Sequence, residues 1–493
     1  MHIKPILCAF AFAIAPLAFA QQAPGRGAGI DPASLTQEQI AQTQVPSALF
    51  RLAALYKQNG DMQRLEWTLQ RLVVLQPNTT DLKLALATAY AMEGKKTETY
   101  DTLLAMQRAG FGYDLAGNPN FAKVADTRVW TYIVDGLKAN LKPFGEGKVA
   151  FTLPGGDHLY ESLAWDPARK QFLVGSVRDG TIQRADRDGR LGDFIKPDAQ
   201  NGLWSVYALA AVPSDDALYV ASTASVYFKG FAQADYGKAG VFRFKLSTGK
   251  LEDKYLLAPS AGQVQTLSSI VAGKGGLVFA ADGLRNIIYK LDGHELKPMV
   301  GNPRLTSVRG LALSGDDKTL YFADYALGVF GVDLAAGKGF DLQYTVTSLA
   351  LGGIDGLYWY DHNLVAIQNG MTPHRVMRLA LSADGRSITR ATPLDAARPE
   401  LTLPTYGTIA DDGLYFVANS QKNAYGAYGT PRDDAKLQPV QVFRSDLRFA
   451  WDQPGIPTAL PNRPAGPPVL SRSIPGSGVF GNVEGGSESV TGN

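Results

Sequence analysis

Leu173-Val-Gly-Ser176, Tyr219-Val-Ala-Ser222, Phe279-Ala-Ala-Asp282, Tyr321-Phe-Ala-Asp324, Ala366-Ile-Gln-Asn369 and Phe416-Val-Ala-Asn419 share one design. Residues that pack well in strands lead to a small or adaptable residue and then to a polar one. The final polar residues are 46, 60, 42, 45 and 50 positions apart. Short apolar runs broken by Gly, Asp and Asn are the pattern of strands and turns. A period of about 40–50 residues with several strands in each repeat is the size of a propeller blade.

A second register lies 13 to 15 residues before each polar position. Its strands begin near Glu161, Tyr207, Ser268, Arg309, Asp355 and Tyr406. Third strands follow at Thr181-Ile-Gln-Arg184, Gly240-Val-Phe-Arg243, Asn286-Ile-Ile-Tyr289, Gly328-Val-Phe-Gly331, His374-Arg-Val-Met377 and Val440-Gln-Val-Phe443. Six coincident matches predict a mainly β chain: a six-bladed β-propeller over residues 148–450. The strand Lys148-Val-Ala-Phe-Thr-Leu153 is expected to supply the outer strand of the last blade, which closes the ring and hides two sheet edges.

Ahead of the propeller the period changes. Between Pro46 and Gly110 apolar residues recur at helical spacing, and Leu52-Ala-Ala-Leu-Tyr56 with Gly60 returns as Leu86-Ala-Thr-Ala-Tyr90 with Gly94, 34 residues on. Leu69 and Leu103 keep the same step. A 34-residue helix-turn-helix period resembles about two tetratricopeptide repeats, within an α-helical module at 46–142. A third helical stretch at 121–141 is expected to cap the stack or dock it on the next domain. The module is either a groove for a protein partner or a packing element.

The ends read differently again. Lys4, the apolar run from Pro5 to Phe19 and Ala18-Phe19-Ala20 read as a signal peptide cleaved after Ala20, which places the mature chain in the periplasm or outside the cell. The run is too short to span a membrane, and no later one is longer. Residues 21–45 read as a linker, and the Pro-, Gly- and Ser-rich residues 451–493 as a disordered tail. The only cysteine, Cys8, lies in the cleaved segment, so disulfides, thiolate metal sites and cysteine nucleophiles are excluded from the mature chain. A net charge of +2 argues against nucleic acid as a partner. No Gly-x-Ser-x-Gly elbow, His-Glu-x-x-His or phosphate-cradling glycine loop is present.

Glu161-Ser-Leu-Ala-Trp-Asp166, Val174-Gly-Ser-Val177, Gly180-Thr-Ile182 and the run from Arg309 to Asp324 resemble the SMP-30/gluconolactonase-like propellers over about 153–449. The resemblance implies a small ligand in the central channel and a divalent metal, often calcium, held by a first-blade glutamate and later Asn and Asp side chains. Glu161 matches that glutamate and Asp355 the late aspartate. The sequence departs at Arg309, where the family has asparagine, and at Ser268-Ser269, where it has Asn-Asp. Arginine cannot ligate a cation and repels one. Two arrangements follow: a metal on Glu161 and Asp355, or Arg309 replacing it by pairing with either carboxylate or by gripping an anionic ligand.

Other polar residues are candidates for the channel mouth: Asp282, Asp324, Gln368, Asn369 and Asn419, with His374-Arg375 close by. Their alternative role is to end strands by binding their own turns. The leading expectation is a small-ligand propeller with lactonase-type hydrolysis, in which Glu161 or Asp355 is a general base and Arg309 or a metal stabilises the oxyanion. The alternative is a noncatalytic protein that binds other proteins through the helical repeats and the propeller face.

Overall fold

The computed structural model describes residues 31–258, 263–344, 349–452 and 456–457. The predicted signal peptide and most of the predicted tail lie outside the described residues. Among the described residues no helix is long and apolar enough to cross a membrane.

The N-terminal part is helical: α1 (Gln37–Gln42), α2 (Pro46–Asn59), α3 (Met62–Leu75), α4 (Thr80–Glu93), α5 (Lys96–Arg108) and α6 (Arg128–Ala139). The predicted 34-residue step is visible in the starts of α2 and α4 and of α3 and α5. Gly60 and Gly94 end α2 and α4 with φ of 70° and 78°, a left-handed conformation that glycine adopts without penalty. The region read as a linker is ordered from residue 31 on, because Thr36 and Gln39 form a reciprocal capping box and Ile40 is fully buried.

Short strand β1 (Phe144–Gly145) and β2 (Lys148–Leu153) lead into the propeller. Blade 1 is β3 (Tyr160–Asp166), β4 (Gln171–Ser176), β5 (Ile182–Ala185) and β6 (Leu191–Ile195). Blade 2 is β7 (Ser205–Val212), β8 (Ala217–Thr223), β9 (Ala239–Lys245) and β10 (Leu251–Leu256). Blade 3 is β11 (Leu267–Ala272), β12 (Val278–Asp282), β13 (Ile287–Asp292) and β14 (Glu295–Val300). Blade 4 is β15 (Val308–Leu313), β16 (Thr319–Asp324), β17 (Gly328–Asp333) and β18 (Lys338–Asp341). Blade 5 is β19 (Ile354–Tyr360), β20 (Asn363–Gln368), β21 (Arg375–Leu381) and β22 (Ile388–Ala396). Blade 6 is β23 (Gly407–Ala410), β24 (Gly413–Val417) and β25 (Val440–Asp446), completed by β2.

The ring therefore closes as the sequence predicts, with β2 antiparallel to β25 from Lys148↔Arg444 to Leu153↔Val440. Each pair of neighbouring blades shares an apolar cluster, including the pair that closes the ring, where Phe151, Leu153, Leu163, Phe172, Tyr415 and Val442 meet. Every blade is thus covered on both faces, which is why its middle strands read as continuous apolar runs. Beyond β25 the chain stays attached for a few residues. Arg378, 1% exposed, donates to the carbonyls of Leu447, Phe449 and Ala450, and Trp451 is flanked by Arg378 and Arg448, each 4.5 Å from its ring.

Candidate functional site: a ring of β-bulges at the channel mouth

The inner strand of every blade is interrupted at its start. In blade 1 the pairs Tyr160↔Ser176 and Ser162↔Gly175 pass over Glu161. The same shift passes over Tyr207, Ser268 and Asp355, and in blade 4 it falls at Arg309 between Val308↔Asp324 and Leu311↔Phe322. In blade 6 both Thr405 and Tyr406 bond to Val417. A bulge places two residues opposite one and re-aims a side chain out of the sheet. Six bulges thus bring Glu161, Tyr207, Ser268, Arg309, Asp355 and Tyr406 to one level, one per blade.

The residue after each bulged one is small: Ser162, Ala208, Ser269, Gly310, Gly356 and Gly407. At this level neighbouring inner strands approach one another. A Cβ on Gly310 would come within 2.5 Å of the Leu357 amide nitrogen. A cavity of about 470 Å³ continues from here toward the far ends of the inner strands, lined by Leu209, Ile270, Leu311, Trp165 and Trp359 among others. Tyr406, Ser162 and Ser269 reach it, whereas Glu161, Arg309 and Asp355 do not line it. The charged residues therefore belong to the opposite mouth.

Asp355 is 1% exposed, accepts from Asn369 Nδ2 at 2.9 Å through Oδ2, and has Oδ1 3.6 Å from Arg309 Nη1. Asn369 also donates to Pro404 O at 2.7 Å and accepts from the Tyr325 hydroxyl at 2.8 Å. Arg309 donates from Nε to Ser307 Oγ at 3.1 Å and lies 5.4 Å from the Tyr325 ring centroid. Burial lowers its proton affinity, but Asp355, Tyr406 and Tyr325 outweigh that and raise it, so the guanidinium stays charged. Its side chain keeps 35% of its surface exposed, which makes it the accessible cation of the ring.

Glu161 is 8% exposed and accepts a hydrogen bond from Ser420. Burial pushes its carboxyl up to about 7; Lys422 and Ser420 oppose the rise and the negative charge of Asp355 adds to it. Tyr207 donates to Ser225 Oγ at 3.0 Å, and burial raises its phenol and that of Tyr406. Among the described residues Ser162 Oγ, Ser268 Oγ, Asp355 Oδ1, Thr405 Oγ1 and the Tyr406 hydroxyl are buried at this level with no hydrogen-bond partner, Asp355 Oδ1 having only its 3.6 Å ion pair with Arg309.

The other predicted site residues fall elsewhere. Asp282 and Asp324 lie opposite the bulges of blades 3 and 4; both accept backbone amides, and Asp282 Oδ2 is buried with no hydrogen-bond partner among the described residues. Asp282 accepts from the amides of Leu284 and Arg285, and Asp324 from those of Thr306, Ser307, Ala326 and Leu327. In blade 5 the residue opposite the bulge is Gln368, not Asn369, and in blade 6 it is Val417, two before Asn419. Asn419 bridges Pro439 O and the Gln441 amide. Gln368 is 1% exposed and turns away from the ring, while its neighbour Asn369 enters it. His374 Nδ1 is 2.7 Å from Leu401 O. Tyr207 and Tyr406 are not among the sequence's site candidates, and Ser268 enters only as a departure from the family's Asn-Asp; the signal for all three is their place at the head of the second register.

The resemblance implies a divalent cation, and the donor set does not fit one. Among the described residues no three His, Cys, Asp or Glu side chains come together. Of the two carboxylates available, Asp355 faces the Arg309 guanidinium and an Asn amide, and Glu161 is held by the Ser420 hydroxyl. Calcium requires six or more oxygen ligands.

No protein-family model and no curated protein matches the sequence. Solved structures with a similar chain path include the PQQ-bound aldose sugar dehydrogenase of Streptomyces coelicolor, at 16% identity and a TM-score of 0.39, covering 62% of this chain and 99% of that one. Regucalcin, a calcium-binding protein of Agrobacterium tumefaciens, has 16% identity and a TM-score of 0.40, covering 61% and 93%. An inactive virginiamycin B lyase of Staphylococcus aureus has 12% identity and a TM-score of 0.39, covering 62% and 100%. The six-bladed fold itself is read from the strand pairing of this chain.

Proposed function

We propose that the chain is an exported propeller that binds a small polar ligand at the bulge ring and opens it by lactonase-type hydrolysis without a metal. The observation that supports this is the set of buried atoms with no hydrogen-bond partner among the described residues, Asp355 Oδ1, Ser268 Oγ and the Tyr406 hydroxyl, in the ring that also carries Glu161 and Arg309. Buried polar groups normally find partners, and each one left alone costs about 1–3 kcal/mol. A ring that carries several is organised around polar atoms the chain itself does not supply.

Each charged residue has a role that its surroundings support. Glu161, with its carboxyl near 7, can take a proton from water at neutral pH and return it to the leaving alkoxide as the carbonyl carbon–oxygen bond of the lactone breaks. Arg309 remains charged and partly open, suited to the oxyanion of the tetrahedral intermediate. Asp355, held by Asn369, fixes the guanidinium. The partner-binding alternative is weaker, because Phe111, Phe121, Trp130 and Ile133 already fill one face of α4 and α5. The export reading rests on residues 1–20 as a sequence.

The test is hydrolysis of a panel of small lactones and aryl esters by the mature chain in chelator. Turnover should rise with pH through about 7, and Glu161→Gln should lower it about 100-fold or more. Absence of turnover across the panel, or a Glu161→Gln variant as active as the parent, would overturn the hydrolase reading.

A further inference from the structure

The helical module is seated on the same mouth of the channel as the ring. The Asn78 amide nitrogen donates to Ala326 O at 3.2 Å, and its side chain donates to Leu327 O at 2.7 Å. Thr80, the first residue of α4, donates from its hydroxyl to Gly370 O at 3.0 Å, and the Gly112 amide donates to Thr372 O at 2.8 Å. Two glycines mark how close the approach is. A Cβ on Gly352 would collide with the Asn78 carbonyl oxygen, and one on Gly110, where φ is 86°, would lie 2.6 Å from Arg375 Nη1.

Arg375 is 6% exposed, and its hydrogen bonds go to neutral acceptors. It donates to Ala109 O at 2.8 Å, to Ala350 O at 3.2 Å and to Gln368 Oε1 at 2.7 Å. Ala109 is the C-cap of α5, so the guanidinium sits at the negative end of a helix dipole, which partly offsets the cost of burying it. Gln368 passes the connection on by donating to Ala350 O and Gly352 O. The residue just after β20, Asn369, points the other way and holds Asp355. Its own amide and that of Gly370 donate to Gly353 O, and the Gly353 amide donates to Tyr325 O.

We propose that Asn78, Thr80 and Arg375 are positioning residues of the channel site: by latching the helical module onto loops 350–353 and 368–372 they fix Asn369, and through it Asp355 and Arg309. The helical module is then a structural wall of the ligand site rather than an independent adaptor. This rests on the bulge ring being the ligand site, but the latch itself can be tested without a ligand.

The test compares the full mature chain with Thr80→Val, which loses the hydroxyl, and Thr80→Ser, which keeps it. The readouts are amide hydrogen exchange and the side-chain amide NMR signals of Asn369. In Thr80→Val, the amides of Gly353, Asn369 and Gly370 should exchange about tenfold faster or more, and the Asn369 side-chain signals should shift. Amides of β4 and β8 should keep their parental rates, and Thr80→Ser should restore the parental pattern at every site. Unchanged Asn369 signals and exchange in Thr80→Val, or equal disturbance in Thr80→Ser, would overturn the latch. Should Thr80→Val fail to fold, Thr80→Ala makes the same comparison without added bulk. A latch that responds as expected in a chain inert to every lactone would leave positioning standing and remove only the hydrolase reading.

Discussion

Among single residues, Glu161 combines a fold cost with the general-base role proposed for it. Its proton affinity is raised in the folded chain from 4.5 to about 7, so the stability it contributes is complete below about pH 4.5 and is lost as the pH rises through about 7. That shift corresponds to about 3 kcal/mol of folded-state penalty for the charged form. Glu161→Gln should therefore unfold at a higher temperature than the parent above about pH 7, with the two converging at low pH, while turnover falls. Thermal denaturation across that range decides it: equal melting points at high pH would mean that Glu161 is solvated in the folded state. Asp395 makes a second case. Burial pushes it up to about 6 against its bonds from Ser445 and the Gly147 amide, so Asp395→Asn should remove a loss of stability between about pH 4 and 6.

The decisive element is the inner strand with its bulge and the small residue behind it. The bulge aims one side chain per blade at the channel axis, and the small residue lets neighbouring inner strands come close enough to hold those side chains in one ring. Gly310 makes this testable. An added methyl would press on the Leu357 amide nitrogen and the Gly356 carbonyl carbon, backbone atoms that cannot step aside. Gly310→Ala should cost about 1–3 kcal/mol in denaturant unfolding, as overpacking does. Gly192→Ala is the control, since nothing lies within 4 Å of its Cβ position, and it should leave the midpoint nearly unchanged. An equally small effect at Gly310 would mean that the inner strands can spread, and a fixed ring geometry could not then be maintained.

Over the whole molecule, closure and docking make one cooperative unit. β2 comes from the N-terminal side of the propeller and completes the last blade, burying Phe151 and Leu153 between blades 6 and 1. The helical module shares its own apolar cluster with Ala350 and Met371 of the propeller, so neither part presents a complete surface without the other. Calorimetry of the mature chain should show a single transition, and Leu153→Ala should lower it as a whole by about 2–5 kcal/mol without splitting it. Two separated transitions in the parent would mean that the helical module docks too weakly to position anything.

The six blades, the closing strand and the 34-residue helical step were legible in the sequence because each rests on a local period that backbone geometry imposes: alternating short strands, turn residues and helical spacing. Glu161, Arg309 and Asp355 stand out only through the family resemblance, since Tyr207, Ser268 and Tyr406 hold the same place at the head of a repeated strand. Sequence also placed the small residues after them without revealing their purpose. What it could not give was register. The repeated quartets align Asn369 and Asn419 with Asp324, but Gln368, one residue earlier, and Val417, two earlier, occupy its place, and in blade 5 the one-residue shift reverses which side chain faces which side. Only the tertiary structure decided that Asp324 serves the backbone with both carboxylate oxygens and Asp282 with one, that Tyr207, Ser268 and Tyr406 join the ring, and that Arg309 faces Asp355 where a cation was an alternative. It likewise decided that the helices lean on the channel mouth. These outcomes depend on contacts between residues tens to hundreds of positions apart, such as Asn78 with Leu327 and Arg375 with Ala109, which no local period records.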